Sequence, residues 1–341
     1  MSVSELIRWI VSLLLKPYVF APIFFPGIAT AFILILLLIW LERKIAAKVQ
    51  LRYGPLYVSK RFGGILQLVA DLLRYLFQEP IIPKNADKIV FILGPILLFG
   101  TAYIPTALIP VSGSFVPFRS EVSLLVVIAL LSISPLFDLV IGWASNNKFS
   151  LIGGLREGYI IVSYEIPLFI STIAIAMLYG TLDLVEIAGQ NKWGVLLNPI
   201  AALVFLIVTY MSTARFPFEI AEAESEIVMG PYTEYSGILY GLTMGASYVK
   251  MYVLSLLFTI LFLGGWNPVF WPFTLHPILP GLIMLAKALV VMVIGIFLRA
   301  VYPRYRIDHA LSIGWKLLLT LSFLAVCYSL LITYLQVVVW V

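Results

Sequence analysis

Apolar residues run in long blocks along this chain, and polar residues gather between them. Eight apolar stretches lie near residues 22–41, 89–110, 121–141, 158–180, 195–213, 237–263, 281–298 and 314–340. Each is close to the roughly 17–25 residues that a helix needs to cross the hydrocarbon core. One connecting segment has a different period. From Gly64 to Glu79, the apolar positions Ile65, Leu68, Val69, Leu72, Leu73, Leu76 and Phe77 recur at helical spacing, with Gln67, Asp71, Arg74 and Gln78 opposite. That pattern predicts an amphipathic helix lying on the membrane or under a docked soluble partner. The N-terminal ELIRWIVSLLLKPYVF is broken at Lys16-Pro17 and lacks a small-residue cleavage site, so it reads as an interfacial helix or the start of the first span. The pattern as a whole predicts an all-α polytopic membrane protein forming one membrane domain over residues 1–341, with eight spans.

The polar connections differ in charge. Those after spans one, three, five and seven (42–88, 142–157, 214–236 and 299–313) are the basic ones. With Lys316 they hold 16 of the 22 Lys and Arg, and the remaining connections and the N-terminal tail hold Arg8, Lys16, Arg119 and Lys192. By the positive-inside bias, the basic connections face the cytoplasm of a cell membrane and both termini face outward. Lys250 and Lys287 fall inside spans.

Against this background, RFPFEIAEAESEIVMGPYTEYSG, residues 215–237, stands out. Glu219, Glu222, Glu224, Glu226 and Glu234 fall within it, although the chain has only 17 Asp and Glu. An ionised carboxylate at mid-bilayer costs about 2.5–3.5 kcal/mol on insertion scales. If the segment is helical, Glu219, Glu222 and Glu226 share a face, repel one another and bind protons more tightly. A proton or cation relay and a solvated acidic loop both fit these residues. Asp138 and Glu165 lie inside spans three and four, where acids are functional or pair with a buried base such as Lys250 or Lys287.

Composition narrows the chemistry. Hydrophobic residues make up 62% and charged residues 11%, too little polar surface for a soluble domain of this length. One cysteine, Cys327, is too few for a disulfide within the chain or for a self-contained iron–sulfur cluster. His276 and His309 sit in connections, away from any intramembrane haem. The chain therefore binds no cofactor of its own by this reading, and an electron carrier belongs to another subunit. Nothing marks it for nucleic acid, and no P-loop, CxxC or Ser/His/Asp set is present.

Several segments, in order, resemble the signatures of the subunit 1/H family of respiratory complex I: LERKIAAKVQLRYGP, LQLVADLLRYLFQE, GWASNNKFSLIGGLRE…VSYE, RFPFEIAEAESEIVMGPYTEYSG and RAVYPRYRIDHALSIGWK. The related subunit of energy-converting hydrogenases and sulfane reductases is similar too. The resemblance covers roughly residues 25–325. It implies a non-redox subunit that joins peripheral iron–sulfur subunits to antiporter-like membrane subunits. It also implies a chain of carboxylates that carries protons, or sodium ions, between them. By matching motif, Glu42 is the acid of ERK and Glu165 that of SYE. Glu219, Glu222, Glu224, Glu226 and Glu234 belong to the PFE…EY segment, and Asp138 and Glu157 complete the expected relay. Arg43, Arg52, Asp71, Glu79, Arg156, Arg215, Lys250, Lys287 and Arg299 are expected as supporting charges and as the interface with the redox arm. Three departures (Leu56 after Gly54-Pro55, Gln78 where a Lys is usual, Glu157 where a small residue is usual) bear against quinone binding and toward a ferredoxin-linked, archaeal relative. The rival reading from another class is a free-standing cation-coupled secondary transporter, which predicts internal repeats and paired broken spans. A third is a structural anchor whose acids only hold a partner's loops.

Overall fold

The structure is a computed structural model that describes residues 16–61, 63–215, 217–271 and 273–340, with side chains as far as residue 335. The interfacial helix expected before Lys16 lies outside the described residues. Among the described residues every regular element is helical, and seven helical segments are long and apolar enough to cross a membrane.

The first span is a short helix, Pro17–Ile23, followed by α1, Ile28–Val49. α1 runs past the apolar block and carries Glu42 and Arg43 on its last turns. The amphipathic α2, Leu66–Phe77, follows. It is tied to α1 by an Arg43–Asp71 ion pair of 2.6 Å and by Trp40 Nε1 donating to the Gly63 carbonyl at 3.1 Å. Leu68 is its one buried residue, while Leu66, Val69, Leu73, Leu76 and Phe77 stay exposed. Three spans come next in the chain: α3, Lys88–Tyr103; α4, Ser123–Ala144; and α5, Lys148–Tyr179. α5 is the longest at 32 residues. The block near 195–213 forms α6, Pro199–Ser212, of 14 residues. At 1.5 Å per residue it is roughly 21 Å long, shorter than the other spans. α7, Gly237–Phe262, α8, Leu279–Val301, and α9, Leu319–Trp340, complete the set. α9 is preceded by Ile307–Ser312 and a π-helical turn, Ile313–Leu318.

α7 is the axis of the bundle. Every residue from Tyr248 to Phe262 is buried, so this stretch meets protein on all sides. It packs against α3, α8, α2, α6 and α1, while α5 packs against α4, α9 and α6. A polar side chain on the inner half of α7 therefore has no route to lipid and must find its partners inside the bundle.

The segment between α6 and α7 caps one end of the bundle. It leaves α6 through Ala214 at φ 47° and turns again at Val228 (φ 60°) and Gly230 (φ 55°). Gly230 sits where a Cβ would fall 1.9 Å from the Ala221 carbonyl oxygen, so only glycine fits. Gly153 on α5 faces it, and a Cβ there would lie 2.6 Å from Gly230 Cα. The two glycines let the loop backbone rest directly on α5. Further along, Tyr235 stacks on Phe91 of α3 with ring centroids 4.0 Å apart. Asn147 donates to Glu234 at 2.6 Å, and Ser236 Oγ accepts from the Ile81 amide at 2.9 Å.

Candidate functional site: two buried charge clusters joined by one loop

The first cluster lies at the loop end of α1, α7 and α8. Glu42 is 8% exposed and faces two guanidinium groups. Arg215 Nη1 approaches its two oxygens at 3.3 and 3.4 Å, Arg299 forms an ion pair with it, and Tyr248 Oη donates to it at 2.8 Å. The Arg215 guanidinium lies over the Tyr248 ring, 3.9 Å from its centroid. That geometry adds a cation–π contact to a charge already paired. Glu219 extends the cluster to Arg299 at 3.4 Å and Arg304 at 3.8 Å. Burial raises the Glu219 carboxyl to about 7, against the pull of Arg304 and Arg215 in the other direction.

A crevice of about 620 Å³ opens beside this cluster, lined by Glu42, Arg43, Arg52, Tyr53, Arg299 and Tyr302 among others. Its volume is within the range of small-ligand sites.

The second cluster lines a small, partly open cavity of about 20 Å³. Asp138 reaches it from α4, Glu157 from α5, Glu222 from the loop and Lys250 from α7. The volume holds about one water. Asp138 accepts a 2.5 Å hydrogen bond from Tyr232 Oη, and that tyrosine is carried by the turn resting on Gly153. Glu157 is 6% exposed, and so is Lys250. The Lys250 ammonium donates to Tyr164 Oη at 3.5 Å and sits 5.6 Å from that ring's centroid. Burial, with the neighbouring Glu219 charge and the more distant Asp138 and Glu157, raises Glu222 to about 8; Arg215 opposes it. Burial and the Asp138 charge also push the Tyr232 phenol well above its usual range.

The loop links the clusters. Glu219 belongs to the first and Glu222 to the second, three residues apart on one segment. On α7 the link repeats, with Tyr248 in the first and Lys250 in the second.

Glu165 sits half-buried on α5, next to Tyr164, and its Oε1 is buried with no hydrogen-bond partner among the described residues. Glu224 and Glu226 are exposed, and Glu226 pairs with Arg156 at 2.5 Å. Glu234 pairs with Asn147 near the surface. None of these three acids lines the cavity. The shared helical face expected for Glu219, Glu222 and Glu226 is not formed. Pro217 and the positive-φ turns hold residues 217–223 out of a helix, which starts only at Glu224–Ile227.

Among the described residues Lys287 does not meet an acid either. Its ammonium donates to the carbonyls of Leu263 (2.6 Å), Gly265 (3.0 Å) and Asn267, so it caps the C-terminal end of α7. Cations suit that end of the helix dipole. Arg52 and Glu79 are exposed; Arg52 contacts Gln50 at 2.7 Å.

Sequence reasoning passed over Tyr164, Tyr232 and Tyr248, which bridge charges in both clusters. Their one signal is position, since Tyr232 lies inside the acidic segment and Tyr164 beside Glu165. Among the described residues no group of three or more His, Cys, Asp or Glu side chains is arranged to hold a metal ion.

Comparisons with known proteins match this arrangement to a family. The chain is 44% identical over 284 residues to the H subunit of the NADH-quinone oxidoreductase of Bacillus cytotoxicus, covering 82% of this chain and 84% of that one. The corresponding H subunits of Bacillus thuringiensis and Bacillus cereus are each 43% identical over the same shares. A family model described as NADH dehydrogenase matches residues 23–330, which take in every helix that builds the two clusters, and the chain belongs to that family.

Proposed function

We propose that this chain is the membrane subunit of a complex I-type oxidoreductase that anchors the peripheral redox arm and conducts cations through its buried carboxylates. The observation that carries this reading is the small cavity in which Asp138, Glu157 and Glu222, from three separate elements, share one polar space with Lys250. Glu157 is buried and Asp138 and Glu222 are half-buried; carboxylates that outnumber their bases inside a membrane bundle are costly, and a transfer path is a reason to hold them there.

The relay runs from Glu219 and Glu222 on the loop to Asp138 on α4 and Glu157 on α5, and then to Glu165, further along α5. The loop is the input, because a redox arm docked over it alters the electrostatics of Glu219 and Glu222 first. Iron–sulfur clusters belong to peripheral partners on the basic, cytoplasmic face. Antiporter-like subunits receive the change within the bilayer, and both termini lie outside. The relatives' name supports quinone as the acceptor, and the crevice beside Glu42 suits its head group. The three relatives compared are all from Bacillus, which favours this reading over a ferredoxin-linked, archaeal one. Family membership likewise favours a subunit over a free-standing transporter.

The test uses the complete complex in inside-out vesicles, with NADH oxidation and cation uptake followed together. Glu157→Gln with Glu222→Gln is expected to abolish uptake while every subunit stays in place. Uptake equal to wild type removes the relay. Loss of assembly instead supports the anchor reading.

A further inference from the structure

Which cation moves depends on the chemistry of the small cavity. Three carboxylates line the space, together with the hydroxyls of Ser134, Ser212 and Thr213. Those hydroxyls donate to backbone carbonyls of Leu98 and Thr209, so their lone pairs remain for the cavity. Oxygen ligands of these types suit small hard cations, although the three carboxylates do not converge into a metal site in this conformation. Glu157 adds to the fit: it is buried, lines the cavity and makes no hydrogen bond among the described residues.

The same wall carries Lys250. Its ammonium is buried and has three donors, of which one is used, toward Tyr164; no carboxylate lies within 4 Å of it among the described residues. An unpaired ammonium on a flexible four-carbon stem, beside a space the size of one water, is a tethered cation. Its charge repels a second cation strongly where the dielectric is low. A proton needs no such space, because it resides on a carboxylate oxygen.

We infer that Lys250 is the specificity-determining residue that makes this cavity a proton site and keeps alkali cations out of it. The inference rests on the relay reading and names its ion. The charged and titratable groups facing Lys250 are Asp138 from α4, Glu157, Tyr164 and Glu165 from α5, and Glu222 and Tyr232 from the loop. Lys250 is the basic residue among them.

The experiment uses the complete complex in inside-out vesicles, measuring NADH-driven proton uptake and radiosodium uptake with and without sodium. Wild type is expected to take up protons with no sodium requirement and to accumulate no radiosodium. Lys250→Met, neutral and of similar length, is expected to gain sodium-sensitive proton uptake or radiosodium accumulation. Lys250→Gln replaces it if it does not assemble. NADH-driven radiosodium uptake by wild type overturns the inference, as does indifference to sodium in an assembled neutral variant. Failure of the relay reading looks different: the Glu157 and Glu222 variants then leave uptake of either ion unchanged.

Discussion

Glu222 gives the loop a pH dependence that can be worked through. Its carboxyl is raised from 4.5 to about 8, first by burial and then by the Glu219 charge, with Asp138 and Glu157 adding and Arg215 opposing. The docked loop therefore keeps a proton that a released, solvated loop gives up near its ordinary value. A raised carboxyl stabilises nothing by ionising, so the sign is fixed: docking is undisturbed below about 4.5 and weakens as pH rises, and the loss is complete above about 8. At about 1.4 kcal/mol for each pH step, the full loss is roughly 5 kcal/mol. Between pH 6 and 8 the docking equilibrium should fall by about tenfold per step, and above pH 9 it should be flat.

The assay is amide hydrogen exchange over residues 217–232 in the assembled complex, corrected for the intrinsic effect of pH. Wild type should lose protection steadily from pH 6 to 8. Glu222→Gln stays neutral and should flatten most of that slope, leaving the smaller contribution of Glu219. Glu219→Gln removes the like charge and should lower the Glu222 midpoint. If wild type and Glu222→Gln trace the same protection across the range, the burial of a protonated Glu222 is wrong and the loop is not the titrating input.

Two further changes test the frame around it. Glu42→Ala leaves Arg215 over the Tyr248 ring without its carboxylate and takes one of its partners from Arg299, and removing one partner of a buried ion cluster costs about 3–5 kcal/mol. Faster thermal inactivation of the complex, with Tyr248→Phe showing a much smaller effect, is the expected result; equal half-lives for Glu42→Ala and wild type would count against the cluster. Gly153→Ala places a Cβ 2.6 Å from Gly230 Cα and 2.7 Å from Pro231 Cδ, so the turn must retreat by roughly 1 Å, an overpacking cost of about 1–3 kcal/mol. Because Tyr232 rides on that turn, exchange at residues 230–235 should quicken and proton uptake should fall with assembly intact. Unchanged exchange would show that the loop does not rest on α5.

The spans were legible because length and apolarity act along the chain: among the described residues, seven of the eight apolar blocks hold a helix long enough to cross, and the block near 195–213 holds only the shorter α6. The loop was not, because helical spacing says nothing once Pro217, Ala214 and Val228 take the backbone off the helix. The two acids of α5 make the point sharply. Judged by distance into the apolar block, Glu165 is the deeper residue and Glu157 belongs to a connection. The helix begins at Lys148, however, and the folded loop with its Gly230 turn covers the first turns of α5. Glu157 is thereby 6% exposed while Glu165 is only half-buried. Burial here is conferred by the covering segment, not by depth along the span. It follows that the same glycine contact that seats the loop also encloses Glu157 with Lys250, so any partner that lifts the loop changes the solvation of both in one motion.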